Sequence, residues 1–66
     1  MQIKVNGKKE RLGVGVTLHK FISDKKLNTS AVVAELNGEI IKKNNWKAVM
    51  LKNGDTLELI TFVGGG

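Results

Sequence analysis

The residues with the clearest chemical potential are the three glycines that end the chain, Gly64, Gly65 and Gly66. Glycine loses more backbone freedom on ordering than any other residue and has no side chain to pack, so we expect this tail to be extended and disordered in the free protein. A backbone without Cβ atoms can also thread a narrow channel and lie against an enzyme surface. The tail is therefore suited to delivering the Gly66 carboxylate to another protein's active site.

Chemistry at the Gly66 carboxylate requires activation, because the leaving group of an unactivated carboxylate would be oxide. Conversion to a mixed anhydride such as an acyl adenylate solves this problem, and ATP is the ordinary reagent for that step. Composition alone also allows a plainer interpretation, in which the three glycines are a frayed chain end or a remnant of cloning.

The remaining side chains offer no catalytic set. The chain has no cysteine, which excludes a disulfide, a thiolate zinc site and a cysteine nucleophile of its own. His19 is the only histidine and falls on a predicted polar helix face, so we expect a surface residue. Glu35 and Glu39 flank a predicted tight turn and are expected to be solvated charges. We therefore predict no catalytic residue, no metal site and no enzymatic activity.

Length and charge limit the classes of function. A chain of 66 residues forms one domain with a small core, which leaves little room for a catalytic cleft. The net charge of +5 suits a nucleic acid or an acidic protein surface. No aromatic residues alternate with the lysines as a base-stacking surface needs, so we favour a solvated basic surface over nucleic-acid binding. Lacking a leader or a long apolar run, the sequence predicts a soluble cytoplasmic protein without a membrane span.

The first half of the chain predicts a hairpin and a helix. Apolar residues alternate with polar ones from Met1 to Val5, as in a strand with one buried face. An Asn-Gly turn follows, and Leu12 and Val14 are expected to supply the apolar positions of the returning strand. Thr17 is a suitable N-cap for a short helix that buries Leu18, Phe21 and Ile22, ends near Lys25-Lys26 and exits at Asn28.

The second half predicts three more strands. Residues 31–36 lead into Asn37-Gly38, the dipeptide best suited to a type I′ turn, and residues 39–41 return. Trp46 is expected to anchor a connection that ends in another tight turn, and residues 56–62 form the last strand. The order β-β-α-β-β-β predicts an α+β fold, with a mixed sheet of four to five strands and one short helix across one face. We expect a single domain over residues 1–63 and a tail over residues 64–66.

Side chains of the last predicted strand divide between two faces, because they alternate across a sheet. Leu57 and Leu59 are expected in the core, which leaves Ile60 and Phe62 on the opposite face. Two apolar side chains beside the chain end form a candidate partner interface, which we extend to Val63. The alternative is that they are ordinary exposed apolar residues.

The second half of the chain contains a recognisable series: residues 34–41 (AELNGEII), Trp46, residues 53–59 (NGDTLEL) and residues 62–66 (FVGGG). This series resembles the ThiS family of ubiquitin-like sulfur carriers. The resemblance is specific after Ala31 and weak before it, where only the hydrophobic pattern and the helix start agree. Many relatives carry a proline after the strand that follows Asn-Gly, whereas this chain has Lys42-Lys43 and no proline; that difference lies in a loop.

This resemblance implies a β-grasp fold, in which the first and last strands lie side by side. It further implies that a ThiF-like adenylyltransferase uses ATP to adenylate Gly66, with Gly64 and Gly65 entering its active site. A persulfide sulfur-transfer enzyme would then supply the sulfur of a Gly66 thiocarboxylate. A ThiG-like thiazole synthase would take that sulfur for the thiazole of thiamin, so the chain would be a protein co-substrate that binds no cofactor itself.

Other functions remain open at this point. The small subunit of molybdopterin synthase and carriers for tRNA thiolation share the fold and terminal glycines, although they are usually longer chains. A ubiquitin-like modifier would use the same activated terminus to form amide bonds. A small basic module that binds RNA or an acidic protein would carry the glycines incidentally, and its affinity would fall steeply with salt.

Overall fold

The computed structural model describes residues 1–62. The predicted domain boundary after residue 63 and the predicted glycine tail lie outside the described residues and stay predictions. The order of strands and helix agrees with the order predicted from the sequence, with two short 3₁₀ helices added. The elements are β1 (Gln2–Val5), β2 (Lys8–Arg11), helix α1 (Leu18–Asp24), a 3₁₀ helix (Thr29–Ala31), β3 (Val32–Leu36), β4 (Glu39–Ile41), a second 3₁₀ helix (Lys43–Ala48) and β5 (Thr56–Thr61).

The five strands form one mixed sheet in the order β2-β1-β5-β3-β4. The first and last strands are parallel neighbours, with Lys4 opposite Thr56 and Val5 opposite Leu57. The other three pairs are antiparallel. This arrangement confirms the mixed sheet and the adjacent position of the first and last strands. It also puts β5, the strand that leads to the chain end, between two neighbours.

Both predicted Asn-Gly hairpins are confirmed. Asn6 and Gly7 have φ angles of 50° and 83°, and Asn37 and Gly38 have φ angles of 52° and 84°. Two consecutive positive φ angles define the type I′ turn, whose twist matches that of the flanking strands. Glycine adopts such a φ without steric cost, and asparagine tolerates it better than most residues. These turns fix the register of β1 against β2 and of β3 against β4.

Helix α1 begins as predicted, but the residue that turns the chain away at its C-terminal end differs from the prediction. The Thr17 hydroxyl accepts a hydrogen bond from the backbone N–H of Lys20 at 3.1 Å, and the predicted apolar stripe is buried. At the other end Lys26 adopts a left-handed conformation with φ of 57°. The prediction that Asn28 forms the exit was therefore wrong: its side chain instead caps the following 3₁₀ helix by accepting from the N–H of Ser30.

The prediction that Val14 belongs to the returning strand was also wrong. Strand β2 ends at Arg11, and Leu12 exchanges two backbone hydrogen bonds of 2.8 Å with Met1 as the last paired residue. Val14 is 89% exposed in a turn where Gly15 has φ of 85°. Glycines on both sides of Val14 favour a turn over a strand, and their effect outweighs the apolar alternation.

The core lies between α1 and the inner face of the sheet, the face that α1 covers. The second 3₁₀ helix closes it at one side, where Trp46 is only 1% exposed and donates its indole N–H to the Ile41 carbonyl at 2.9 Å. Trp46 is therefore a core residue, and it anchors this connection as predicted. The buried apolar residues are Ile3, Val5, Leu18, Phe21, Ile22, Val32, Ala34, Trp46, Leu51 and Leu57.

A polar clasp joins the β3–β4 turn to the start of β5. The side-chain amide of Asn37 donates to Asp55 Oδ1 at 3.0 Å, and its oxygen accepts from the N–H of Thr56 at 2.9 Å. Asp55 Oδ2 accepts from the N–H of Lys52 at 2.7 Å. Asp55 is the one buried polar or charged residue among residues 1–62. Both oxygens of this buried carboxylate thus have partners, as burial of a charge demands.

Substitution of Asp55 by alanine is expected to lower the free energy of unfolding by about 1–3 kcal/mol. The side-chain amide of Asn37 and the backbone N–H of Lys52 would both lose their acceptor, and both hydrogen bonds are partly buried. Urea unfolding followed by circular dichroism measures this loss. Asp24→Ala is the matched control, since Asp24 forms an exposed pair with Lys20 at 3.3 Å and such pairs contribute about 0–1 kcal/mol. Equal losses in both variants would show that the clasp does not stabilise the fold.

Candidate functional site

The last strand divides its side chains as the sequence predicted. Leu57 is fully buried and Leu59 packs against the core, whereas Ile60 and Phe62 are 48% and 61% exposed. Ile60 and Phe62 lie on the outer face of the sheet, which is the face opposite α1. Their exposure makes them available to a partner. Val63, the third predicted interface residue, lies outside the described residues.

Two further apolar residues share the outer face with them. Val33 of β3 lies directly opposite Ile60. Ile40 of β4 lies opposite Glu35 and is 64% exposed. Sequence reasoning missed Ile40 because it stands beside Ile41, and two adjacent isoleucines do not reveal which one faces outward. The pairing of β4 with β3 settles the question and extends the apolar surface across three strands.

Charges on the outer face are divided by sign. Glu35 and Glu58 are directly opposite each other in β3 and β5. On the other side of β5, Lys4 of β1 pairs with Lys9 of β2, and these side chains point to the same outer face because Ile3 and Val5 point inward. The face therefore changes from acidic and apolar around β5 to basic at the β2 edge.

The structure fixes the chain up to Phe62. The Phe62 N–H donates to the Ala31 carbonyl at 2.9 Å, on the β3 side of the strand. On the β1 side, Asn6 donates its N–H to the Leu57 carbonyl at 2.9 Å and accepts from the Leu59 N–H at 2.8 Å through Oδ1. Gly64, Gly65 and Gly66, where the activation chemistry is predicted, lie outside the described residues. The described part thus shows how its last residues are held and which side chains surround Phe62.

The other candidate groups do not come together into a catalytic set. His19 is half-buried and borders a groove with Lys43, Asn44 and Lys47, so it is less exposed than predicted. Glu35 faces Glu58 and not Glu39. Within residues 1–62 no three histidine or carboxylate side chains are grouped to hold a metal ion. No helix in this part of the chain has the length and apolar character needed to cross a membrane.

Comparison with known proteins identifies close sequence relatives. The model of the ThiS family matches residues 2–66. The sulfur carrier protein ThiS of Bacillus subtilis (strain 168) is 35% identical over 66 residues, a match that covers 97% of this chain and 98% of that protein. A thiazole synthase of Paramagnetospirillum magneticum is 29% identical over 66 residues; the match covers this whole chain and only 20% of that enzyme.

A solved structure gives the same result for the fold. The crystal structure of the thiamine biosynthesis protein ThiS from Geobacter metallireducens superposes with a TM-score of 0.86 at 32% sequence identity, and the match covers all of both chains. This likeness confirms the β-grasp fold that the resemblance implied. Since the family model, a curated relative and a solved structure each match nearly the whole chain, the protein belongs to the ThiS family of small sulfur carriers.

Proposed function

We propose that this protein carries sulfur for thiazole formation in thiamin biosynthesis, as a thiocarboxylate on Gly66. In the first step the Gly66 carboxylate attacks the α-phosphate of ATP and releases pyrophosphate, which leaves an acyl adenylate. A persulfide sulfur of a partner then attacks the acyl carbon and expels AMP, forming an acyl disulfide. A second thiol cleaves that S–S bond, so that one sulfur stays on Gly66 and the partner is left with a disulfide.

The observation that carries this proposal is the match to the ThiS family, which extends through the three terminal glycines. The names of the relatives support the thiamin pathway: one solved relative is called a thiamine biosynthesis protein, and one curated relative is called a thiazole synthase. The lack of cysteine in the chain is consistent with a role in which the persulfide belongs to another protein.

The proposal assigns each partner a part of the reaction. A ThiF-like adenylyltransferase binds ATP and admits Gly64 and Gly65 into its active site, where glycine lets the enzyme approach the backbone closely. A persulfide sulfur-transfer enzyme supplies the sulfur, and a ThiG-like thiazole synthase accepts it. Ile60, Phe62 and Val63 form the surface that these partners bind, and the exposure of Ile60 and Phe62 supports this role.

Intact-mass measurement tests the carrier chemistry. Protein recovered from cells that co-express a ThiF-like activator and a persulfide source is expected to show the mass increase of one oxygen replaced by sulfur. A variant lacking Gly66 should retain its unmodified mass, because the reacting carboxylate would sit on Gly65. An unmodified wild-type mass beside a demonstrably active activator would contradict the proposal and favour the small basic binding module.

The pathway is tested separately with the purified thiocarboxylate. Incubation with thiazole synthase and its other substrates is expected to consume the thiocarboxylate and form the thiazole. Incubation with molybdopterin synthase's large subunit and the molybdopterin precursor is the parallel reaction. Sulfur transfer only in the second reaction would contradict the thiamin assignment while keeping the carrier chemistry.

A further inference from the structure

Strand β5 is longer than its parallel neighbour, so part of its edge is open. Strand β1 pairs with β5 only through Lys4–Thr56 and Val5–Leu57 before it turns away. The Asn6 side chain continues this pairing for one more step by accepting from the Leu59 N–H. Strand β5 itself continues to Thr61. Residues 59–61, which we call the open edge of β5, therefore extend past the end of β1.

The orientation of the backbone shows which groups this open edge presents. The Thr56 carbonyl accepts from Asn37, and the Phe62 N–H donates to Ala31, so the even-numbered residues of β5 bond towards β3. Leu57 and Leu59 bond towards β1. By this alternation the Leu59 carbonyl and both backbone groups of Thr61 point to the side where β1 is missing. The hydrogen bonds within residues 1–62 leave these three groups without a partner.

A groove of about 380 Å³ adjoins these backbone groups. Its apolar part is formed by Val5, Leu27 and Leu59. Its charged part is formed by Lys8, Lys25 and Glu10, of which Lys25 and Glu10 form an ion pair at 2.6 Å. Lys8 has no ion-pair partner among the described residues. The groove thus combines unpaired strand backbone, apolar surface and a net positive charge.

We propose that the open edge of β5 is a strand-addition site that takes an extended, acidic segment of the enzyme that activates the tail. Strand addition supplies main-chain hydrogen bonds to an exposed sheet edge, and flanking side chains select the partner. Here Lys8 selects a segment with a carboxylate. A second copy of this basic chain is a poor occupant because like charges would face each other. The inference rests on the proposed function. The contact it adds is distinct from the contact that Ile60 and Phe62 make through the outer face.

This contact would orient the reacting end of the chain. Val63 and the three glycines follow Thr61 within a few residues in the sequence, so a partner strand that pairs with Thr61 would hold the start of this segment against the activating enzyme. Holding a reactant in one direction lowers the entropy cost of bringing its carboxylate to ATP. The open edge therefore adds its own affinity for the activating enzyme, measured as KM, and orients the chain end, separately from the affinity that Ile60 and Phe62 provide.

Substitution of Thr61 by proline tests the contact, since it removes the N–H that points to the open side and leaves the β3–β5 hydrogen bonds in place. Lys9→Pro is the matched control. Met1 and Leu12 bond to each other, so by alternation Lys9 points its N–H away from β1 at the free β2 edge. The measurement is steady-state pyrophosphate release by the ThiF-like enzyme. We expect KM to rise about tenfold or more for Thr61→Pro and to stay within about twofold for Lys9→Pro.

A second variant keeps the test decisive if Thr61→Pro does not fold. Chemical synthesis can replace Thr61 by its α-hydroxy acid, which exchanges the N–H for an ester oxygen with little change in shape. The expected rise in KM is about three- to tenfold. The charge of the occupant is tested by Lys8→Glu beside Lys43→Glu, which lies on the second 3₁₀ helix; only Lys8→Glu should raise KM and reduce its dependence on salt.

The outcomes separate this inference from the proposed function. If the wild-type chain is not adenylated, the proposed function fails and the inference fails with it. If the wild type is adenylated and the Thr61 ester has a wild-type KM, the strand-addition site is overturned and the carrier function stands. An equal rise in KM for Lys9→Pro would also overturn it, by assigning the contact to the β2 edge or to a general loss of stability.

Discussion

Replacement of Trp46 by alanine is expected to lower the free energy of unfolding by about 3–5 kcal/mol. Trp46 is 1% exposed and is the largest of the fully buried side chains. Its loss creates a cavity between α1 and the sheet, and the Ile41 carbonyl loses the indole N–H that donates to it at 2.9 Å. Small domains have little stability to spare, so this single change should leave much of the protein unfolded near body temperature.

Denaturant unfolding followed by far-ultraviolet circular dichroism measures the effect. Trp46→Phe is the informative second variant, because it keeps most of the apolar volume and removes only the N–H donor; we expect it to lose less than half as much as Trp46→Ala. Met50→Ala is the control for truncation of a neighbouring side chain that is exposed. Similar unfolding midpoints for Trp46→Ala and Met50→Ala would contradict the central place of Trp46 in the core.

The second large effect concerns binding. The double substitution Ile60→Ser and Phe62→Ser is expected to weaken the proposed complex with a ThiF-like activator by about thirtyfold or more, because buried apolar anchors at the centre of an interface commonly contribute at least about 2 kcal/mol. Since both side chains are exposed in the free protein, the unfolding midpoint should change little. Loss of affinity without loss of stability distinguishes an interface residue from a core residue.

Titration calorimetry gives the dissociation constant directly. Val14→Ser is the matched control, because Val14 is the most exposed of the large apolar residues among residues 1–62 and lies in the turn after β2. Its affinity should equal that of the wild type. Undiminished binding of the Ile60 and Phe62 double variant would show that these residues are ordinary exposed apolar side chains, which was the alternative that the sequence left open.

Local signals in the sequence predicted most of the elements. The two Asn-Gly hairpins were predictable because a type I′ turn requires positive φ at two positions, and few other dipeptides supply it. The start of α1 was predictable from Thr17 and the apolar spacing behind it. The alternation of apolar residues predicted a strand at Val14, but the glycines on both sides of it favour the turn that the structure shows. The same limit applied to Ile40, whose direction depends on strand pairing.

Features that depend on pairing between distant residues were not accessible from local patterns. The parallel contact between β1 and β5 came from family resemblance alone, since nothing in the first strand indicates its partner. The open edge of β5 depends on the register of that contact and on the turn at Asn6, so only the structure reveals it. The polar clasp of Asn37 and Asp55 is hidden for the same reason: its residues are separated in sequence and meet only when β3 and β5 pair.

The position of β5 between β1 and β3 has a mechanical consequence for the proposed handling of the chain end by enzymes. Tension applied at Phe62 along the strand is almost perpendicular to its antiparallel hydrogen bonds with β3, whereas its parallel hydrogen bonds with β1 are slanted. Such a load shears several bonds at once, whereas an edge strand pulled sideways would open one bond at a time. In the proposed function, a partner that draws the chain end into its active site would therefore pull against a sheet that resists the load.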